Sequence, residues 1–338
     1  MSSLINGNGK GDVTDRPAYG SGTYFRGCAA EVLITWTLYQ LGLIFMFGLI
    51  SAASAQESAA FLKLGVGARA VGMGGAYTAV ADDVSALSWN PAGLSRLSKR
   101  ELGFTHAELV AGARYDVVGY AHPLGFGTLA GGAAYLTQGT IEGRDAAGKP
   151  TGGFSARDSA LTLGYAAKVQ GARLGATMKV LQSQIANVSA QTAAFDLGAQ
   201  YELASFGPGK PMLGLSVLNV GPGLKFQQER SPLPLTVGVG LGYRLPPGMI
   251  VALDVKNHPN AKDTEISVGT EYALLSGFAL RAGYGSARAA SAAQGAATAF
   301  NGFAAGFGLK ALGYTLDYSI TPFGELGNVQ RFSLGARF

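Results

Sequence analysis

From Lys99 to Phe338 the chain repeats one pattern, in which roughly ten residues alternate between apolar and polar positions before a turn. In the segment 232–245, for example, leucine, valine and tyrosine alternate with threonine, glycine and arginine. Side chains of a β-strand point to opposite faces with a period of two, so each segment has one apolar face. The pattern predicts about fourteen strands, near residues 100–110, 114–123, 127–137, 157–169, 173–186, 190–203, 211–220, 232–245, 249–257, 263–275, 277–286, 299–310, 312–321 and 328–338.

The second face of these strands is largely glycine and charged residues. A transmembrane β-barrel has an apolar band facing lipid and a polar lumen, and its strand count in single-chain bacterial proteins is even. The pattern therefore predicts an all-β membrane protein, a barrel of about fourteen antiparallel strands with a sterically open lumen. Alternation alone does not say which face meets lipid, so a soluble all-β protein is the alternative.

The connections between the predicted strands alternate in length. Pro123–Gly125 is short, whereas Gln138–Ala156, Val220–Pro232 and Ser286–Thr298 are long. Bacterial barrels have short periplasmic turns and longer extracellular loops. This second regularity supports the barrel, and the loops Gln138–Ala156 and Val220–Pro232 are candidate surfaces for a protein partner.

Composition agrees with a barrel. Only 14% of the 338 residues are charged and 51 are glycine, whereas soluble proteins have about 25% charged residues. Beyond Ile50 we find no apolar run of the ~20 residues that a transmembrane helix requires. The net charge is +5, but the basic residues are scattered between strands, so we predict no nucleic-acid partner.

The N-terminal region has the features of an export signal. Val32–Ile50 is apolar, and the small residues Ala53–Ala55 follow it, as in a Sec-type signal peptide cleaved after Ala55. The alternative is a retained transmembrane anchor. Cys28 precedes the cleavage site, which excludes disulfides and cysteine metal sites from the mature chain. We divide the chain into an N-terminal extension with signal peptide (1–55), a plug segment (56–98) and a barrel (99–338).

The segment Phe61–Leu97 is rich in glycine and alanine and poor in charge. Glycine permits close backbone approach or positive φ where a coil folds inside a narrow lumen. Asp82 and Asp83 suit the start of a short helix, which Pro91 ends by forcing Asn90 out of helical geometry. Gly93 then permits the turn into the first strand. We expect a structural plug; the alternative is that Asn90 and the two aspartates line a substrate gate.

The runs FLKLGVGARA, GMGGAY, ADD and WNPAGL in this segment resemble the PorV/PorQ family, outer-membrane barrels related in architecture to the FadL fatty-acid transporters. The resemblance covers about thirty-five residues. It implies a fourteen-stranded barrel with an N-terminal segment in the lumen, and a role either in type IX secretion or in passage of hydrophobic molecules. The candidate plug motif comprises Arg69, Gly72, Gly74, Gly75, Asp82, Asp83, Asn90, Pro91, Ala92 and Gly93.

Two further sets of residues are candidates for a role. Phe332, Leu334 and Phe338 alternate at the C-terminus, where a last strand ending in an aromatic residue resembles the signal read by the barrel assembly machinery. Charged residues on the polar faces could pair across the lumen or set the selectivity of a water-filled path. These lumen-facing charges are Lys168, Asp196, Glu202, Arg244, Glu271, Arg281 and Asp317.

No spacing in the sequence suggests a nucleophile–base pair, a metal site or a cofactor, so we predict neither catalysis nor a cofactor. The first functional hypothesis is an outer-membrane protein acting in protein export, as a type IX-like shuttle or accessory component. The second is a FadL-like channel for small hydrophobic molecules, and a purely structural barrel is the fallback. Predicted partners are outer-membrane lipid and the assembly machinery, with secretion proteins, exported cargo or hydrophobic small molecules according to the hypothesis.

Overall fold

A computed structural model of the chain describes residues 57–286, 301–324 and 327–338. Fourteen antiparallel strands form a closed barrel in which the first strand pairs with the last, and a separate two-stranded hairpin accompanies it. The predicted fold class is therefore confirmed. The strands are β1 Glu101–Glu108, β2 Arg114–Leu124, β3 Gly127–Arg144, β4 Pro150–Val169, β5 Ala172–Ile185, β6 Val188–Glu202, β7 Lys210–Val220, β8 Leu224–Phe226, β9 Glu229–Ser231, β10 Thr236–Leu245, β11 Met249–His258, β12 Asp263–Leu275, β13 Phe278–Gly285, β14 Phe303–Ala311, β15 Tyr314–Pro322 and β16 Asn328–Arg337.

The barrel has two different ends. The short-turn end carries tight turns such as residues 170–171 and 312–313, together with the C-terminal Phe338. The loop end carries the 3₁₀ helix Val110–Gly112 and the β8–β9 hairpin, which lies within the predicted connection Val220–Pro232. The alternation of lengths is incomplete, because residues 186–187 alone join β5 to β6 at the loop end.

The prediction of a long loop at Gln138–Ala156 is wrong. Strand β3 continues to Arg144 and β4 begins at Pro150, with Ile141 paired opposite Phe154. β-Branched and aromatic residues favour extended pairing, so the two strands continue their ladder as a hairpin at the loop end. The third predicted loop, 286–298, lies outside the described residues except for its first position.

The outward face of the wall is apolar. Leu161, Leu197 and Leu334 are all more than half exposed, and they alternate with inward residues as a lipid-facing band requires. Phe332 and Phe338 are exposed as well. Among the described residues, no helix is both long and apolar enough to cross a membrane.

Residues 57–97 lie inside the barrel, because they contact the wall on all sides. The segment is tied to the loop end, where the Ser58 amide donates to the Pro232 carbonyl (2.8 Å), and it leaves at the short-turn end, where Arg100 and Phe338 exchange backbone hydrogen bonds of 3.1 Å. We call this segment the plug. It contains helix α1 (Ala68–Gly72), helix α2 (Ala86–Trp89) and the 3₁₀ helices Ala60–Lys63 and Pro91–Arg96.

The plug explains the glycine face of the strands. A Cβ atom added to Gly214 would lie 2.5 Å from the Thr78 carbonyl oxygen, and one added to Gly240 would lie 2.8 Å from the Ala79 nitrogen. The prediction of a sterically open lumen is therefore wrong, since the glycines form the surface on which the plug sits. The inward glycines that contact the plug are Gly103, Gly119, Gly132, Gly164, Gly175, Gly198, Gly214, Gly238, Gly240, Gly242, Gly269 and Gly283.

Candidate functional site

The glycines of the plug motif allow tight turns against the wall. Gly74 and Gly75 have φ angles of 69° and 84°, and a Cβ at Gly74 would lie 2.5 Å from the Tyr284 nitrogen. Gly93 was expected to permit a turn, but it lies within the 3₁₀ helix Pro91–Arg96. A Cβ at Gly93 would lie 2.5 Å from the carbonyl oxygen of Ala81, so this glycine serves close approach within the plug.

Asn90 anchors the plug to the wall. Its backbone is extended (φ −161°, ψ 104°), as the following proline predicts. The fully buried side chain donates from Nδ2 to the carbonyl oxygens of Thr78 (2.8 Å), Ala199 (3.1 Å) and Leu215 (3.2 Å). Its Oδ1 accepts from the Ala92 nitrogen at 3.2 Å. These bonds use both polar atoms internally, which favours the structural role of Asn90 over the substrate-gate alternative.

Replacing Asn90 with alanine should loosen the plug. Three backbone carbonyls would lose a donor in a buried setting, at a cost of about 1–3 kcal/mol. Thermal scans of Trp89 fluorescence in detergent would measure this, because Trp89 lies in the plug and is the single tryptophan of a chain cleaved after Ala55. The exposed turn variant Asn187→Ala is the control. A midpoint for Asn90→Ala equal to that of the control would contradict the anchor role.

Arg69 joins the plug to the wall through an ion-pair network. Its Nε and Nη2 atoms donate to the two carboxylate oxygens of Glu271 on β12, at 2.7 and 2.8 Å. Such bidentate, charge-assisted pairs are among the strongest hydrogen bonds. Nη1 contacts Asp82 and donates to the Tyr77 hydroxyl at 2.8 Å, and it lies 3.4 Å from Asp83. The structure thus brings three residues of the plug motif to one wall carboxylate.

Three more of the predicted lumen-facing charges extend the network along the wall. Arg281 on β13 donates from Nε to Glu271 at 2.7 Å and from Nη1 to Asp317 on β15 at 2.7 Å. Arg244 on β10 lies 3.4 Å from Asp82. These charges are therefore paired with each other and with the plug. We call Arg69, Asp82, Asp83, Glu271, Arg281 and Asp317 the latch network.

Asp83 is ionised within the latch network. Burial alone would raise the pKa of its carboxyl group, but Arg69 and hydrogen bonds from Ser85 and Tyr77 lower it further, and the net pKa lies below the ordinary 3.8. The Ser85 nitrogen donates to Asp83 at 2.9 Å, so this aspartate orders the turn before α2. The helix begins at Ala86, slightly later than predicted.

The sign of this shift sets a pH dependence. A carboxyl group whose pKa is lowered on folding stabilises the folded state above its unfolded pKa, and this stabilisation is lost as the pH falls through the folded value. We expect Trp89 fluorescence to be constant from about pH 8 to about pH 5 and to report plug loosening only below the ordinary carboxyl pKa, about 4. Loosening already near neutral pH would contradict an ionised, paired Asp83.

The remaining predicted charges lie in separate places. Asp196 on β6 contacts Lys179 Nζ at 2.8 Å. Glu202 pairs with Arg96 of the plug at 2.5 Å. Lys168 is exposed near the short-turn end of β4. Three of the charges predicted from alternation therefore contact the plug directly, namely Glu202, Arg244 and Glu271.

A cavity of about 410 Å³ lies between one side of the plug and the wall. It reaches the short-turn end at Ser276 and Gly277, the latch network lines it further inside the barrel, and its deep end is lined by Val66, Val117 and Ala134. Charged side chains therefore line the cavity between its mouth and its aliphatic deep end. Within the described part of the chain, no group of three or more histidine, aspartate, glutamate or cysteine side chains is placed to hold a metal ion.

Buried apolar side chains fill the lumen at the loop end. Phe61 of the plug packs there against wall residues of β1–β6 and against the connection that carries β8 and β9. Val117 and Ala134 also pack against this group, which we call the outer cluster. Its larger members are Phe61, Val66, Tyr115, Leu136, Leu181, Leu224 and Leu233.

The sequence model of UPF0164, an uncharacterised protein family, matches residues 51–283, which include the plug and most of the barrel. The chain belongs to UPF0164. The match does not confirm membership of the PorV/PorQ family. No curated protein matches this UPF0164 chain.

Solved structures share the fold of this UPF0164 protein. The toluene transporter TodX of P. putida superposes with a TM-score of 0.58 at 15% identity, over 81% of this chain and 99% of TodX. A TodX deltaS2S3 mutant, described as a monoaromatic hydrocarbon channel, gives a TM-score of 0.57 at 16% identity, over 81% and 97% of the two chains. These similarities show the barrel fold.

Two residues of β11 that the sequence patterns did not single out also hold the UPF0164 plug. Asp254 Oδ2 accepts from the Tyr77 and Thr78 nitrogens, both at 2.9 Å, and from the Thr78 hydroxyl at 2.7 Å. Lys256 Nζ donates to the Gly75 carbonyl oxygen at 2.6 Å and lies 4.8 Å from the Trp89 ring centroid. Their sequence positions could have indicated this role, because both are charged residues on the inward face of an alternating strand.

Proposed function

We propose that this protein is an outer-membrane channel through which small hydrophobic molecules pass. The observation that carries the proposal is the outer cluster. A water-filled barrel has a polar lumen, whereas here the loop end of the lumen is lined with buried leucine, tyrosine and alanine side chains. A hydrophobic molecule that replaces the plug's own Phe61 and Leu62 against this surface gains about 25 cal/mol for each Å² of apolar area removed from water.

The comparisons favour the channel hypothesis over the export hypothesis. TodX, described as a toluene transporter, shares the barrel fold over 81% of this chain, while the family match is to UPF0164 rather than to PorV/PorQ. The same proposal includes three further points. They are an export signal before residue 56, recognition of the C-terminal strand by the assembly machinery, and contact with outer-membrane lipid.

The test is uptake of a hydrophobic probe by a Gram-negative host that expresses the full chain. N-phenylnaphthylamine becomes fluorescent when it crosses the outer membrane, and we expect expression to accelerate its entry by about tenfold, equivalent to roughly 1.4 kcal/mol of barrier. Entry of the polar substrate nitrocefin, followed by periplasmic hydrolysis, should not change. Acceleration of both probes equally, or of neither, would contradict the proposal.

A matched pair of variants ties uptake to the outer cluster. Leu136→Asn places a polar amide in the cluster and should abolish the acceleration, because an apolar probe then meets an unpaired polar group. Thr137→Asn changes the adjacent residue, which faces the opposite side of β3, and should retain the accelerated uptake.

Pull-down of the protein from native membranes tests the export hypothesis. Recovery of exported proteins, together with unchanged uptake in Leu136→Asn, would favour export.

A further inference from the structure

The cavity and the outer cluster meet inside the barrel. Val66, Val117 and Ala134 line the deep end of the cavity and also pack in or against the outer cluster. We infer that the cavity and the outer cluster are the two ends of one passage beside the plug, and that these three residues form its constriction. This inference rests on the proposed function and adds a route and a gate to it.

The plug contacts the wall in two different ways around the barrel. Toward β5–β13 its backbone touches the wall: a Cβ on Gly175 would meet the main chain at Pro91, and one on Gly269 would meet the main chain at Met73. Toward β1–β4 the atoms that a Cβ on Gly103 or Gly164 would meet on the plug belong to valine and leucine side chains. The constriction of the passage lies on this second side, and from there the passage runs along β16, β15 and β14 to its mouth at the β12–β13 turn.

This difference decides which side can open. The backbone side is held by Asn90, by Asp254 and by the latch network, so opening it requires moving the whole plug. On the other side, the main chain of Val66 is fixed by a 2.8 Å hydrogen bond from Trp89 Nε1 to its carbonyl. Opening this side requires only rotamer changes of the Val66 side chain and those of Val84 and Leu87, with no movement of the plug backbone.

The chemistry along the route selects its occupant. The outer cluster and the constriction are apolar, and the charged groups of the latch network line the route only between the constriction and the mouth at the short-turn end. A charged molecule would lose its hydration in the apolar part without gaining a partner. The passage therefore suits slim, uncharged apolar molecules, and the plug stays seated while they move past it.

The test places a removable block at Ala134. A chain cleaved after Ala55 contains no cysteine, so Ala134→Cys supplies a unique thiol in the constriction. Unmodified Ala134→Cys should take up N-phenylnaphthylamine like the native protein. Modification with benzyl methanethiosulfonate should slow uptake about tenfold, and reduction with dithiothreitol should restore it.

The neighbouring residue provides the matched control. Ala133 faces outward on β3, so Ala133→Cys, modified in the same way, should leave uptake unchanged. If mass spectrometry shows no labelling at position 134, the variants Ala134→Phe and Ala133→Phe are compared instead, and only Ala134→Phe should slow uptake. The gel shift of the barrel on heating checks that both variants fold. Val66→Ala should raise the rate.

The outcomes separate the route from the function. Native uptake that a filled position 134 does not slow would overturn the passage and leave the channel proposal intact. Absence of protein-dependent uptake in the native chain would overturn the channel proposal and the passage with it.

Discussion

Replacing Gly283 with valine should unseat the plug and open the lumen. A Cβ atom at this position would overlap sterically with the Gly74 nitrogen and with the Met73 carbonyl group. The plug cannot retreat at this point, because Gly74 has a φ of 69° and is itself packed against the Tyr284 and Val268 backbones. Inserting bulk into a packed interior costs about 1–3 kcal/mol or more, and here both contacting surfaces are backbone.

Planar-bilayer conductance measures this outcome. We expect the native protein to conduct ions weakly and Gly283→Val to conduct strongly, with Trp89 fluorescence shifted toward that of a solvated indole. Gly131→Val is the matched control, because Gly131 faces outward on β3 and a Cβ there lies 3.6 Å from the nearest atom, the Thr162 carbonyl oxygen. Equal conductance of the two variants would show that the glycine face does not seat the plug.

Replacing Arg69 with methionine should have the second large effect. The change leaves Glu271, Asp82 and Asp83 together without the cation that joins them. Removing one partner of a buried ion pair typically costs about 3–5 kcal/mol, because the remaining charge is left uncompensated. We expect the plug to unfold from the barrel at a lower temperature, observed as an early Trp89 transition while the strands remain intact by circular dichroism.

The control for Arg69 is an arginine pair at the surface. Arg144 pairs with Glu142 at 2.9 Å in the β3–β4 hairpin, and both side chains are more than half exposed. Such pairs contribute about 0–1 kcal/mol, so Arg144→Met should leave the transition in place. The double variant Arg69→Met with Asp83→Asn should recover part of the loss, because Glu271 keeps Arg281 and Asp82 keeps Arg244 when Arg69 is removed. A native-like transition in Arg69→Met would exclude a latch function for this network.

The strand assignment was predictable because its signal is local. A period of two places Val237, Val239 and Leu241 on one face whatever surrounds them, and the fourteen predicted segments all correspond to barrel strands. The extent of β3 and β4 was not predictable in the same way. Their outer residues are mostly polar or glycine, and the ladder that Ile141 and Phe154 make depends on two strands meeting.

The candidate site was predictable only as a set of residues. The plug motif was recognised from glycine, aspartate and asparagine in one stretch, and Arg69, Asp82 and Asp83 do meet in the structure. Their wall partner, Glu271, lies 202 positions away from Arg69. No pattern along the chain indicates that pairing, because it depends on closure of the barrel around the plug.

The amino-acid sequence by itself determined the strands, their two faces and a glycine-rich segment able to turn tightly, since all three follow from local periodicity and backbone freedom. Tertiary structure decided what the inward face of the strands contacts. Closure of β1 onto β16 brings the inward glycines against the plug backbone on one side and against aliphatic side chains on the other. The lumen is therefore filled where backbones meet, and it retains a passage where only side chains close it.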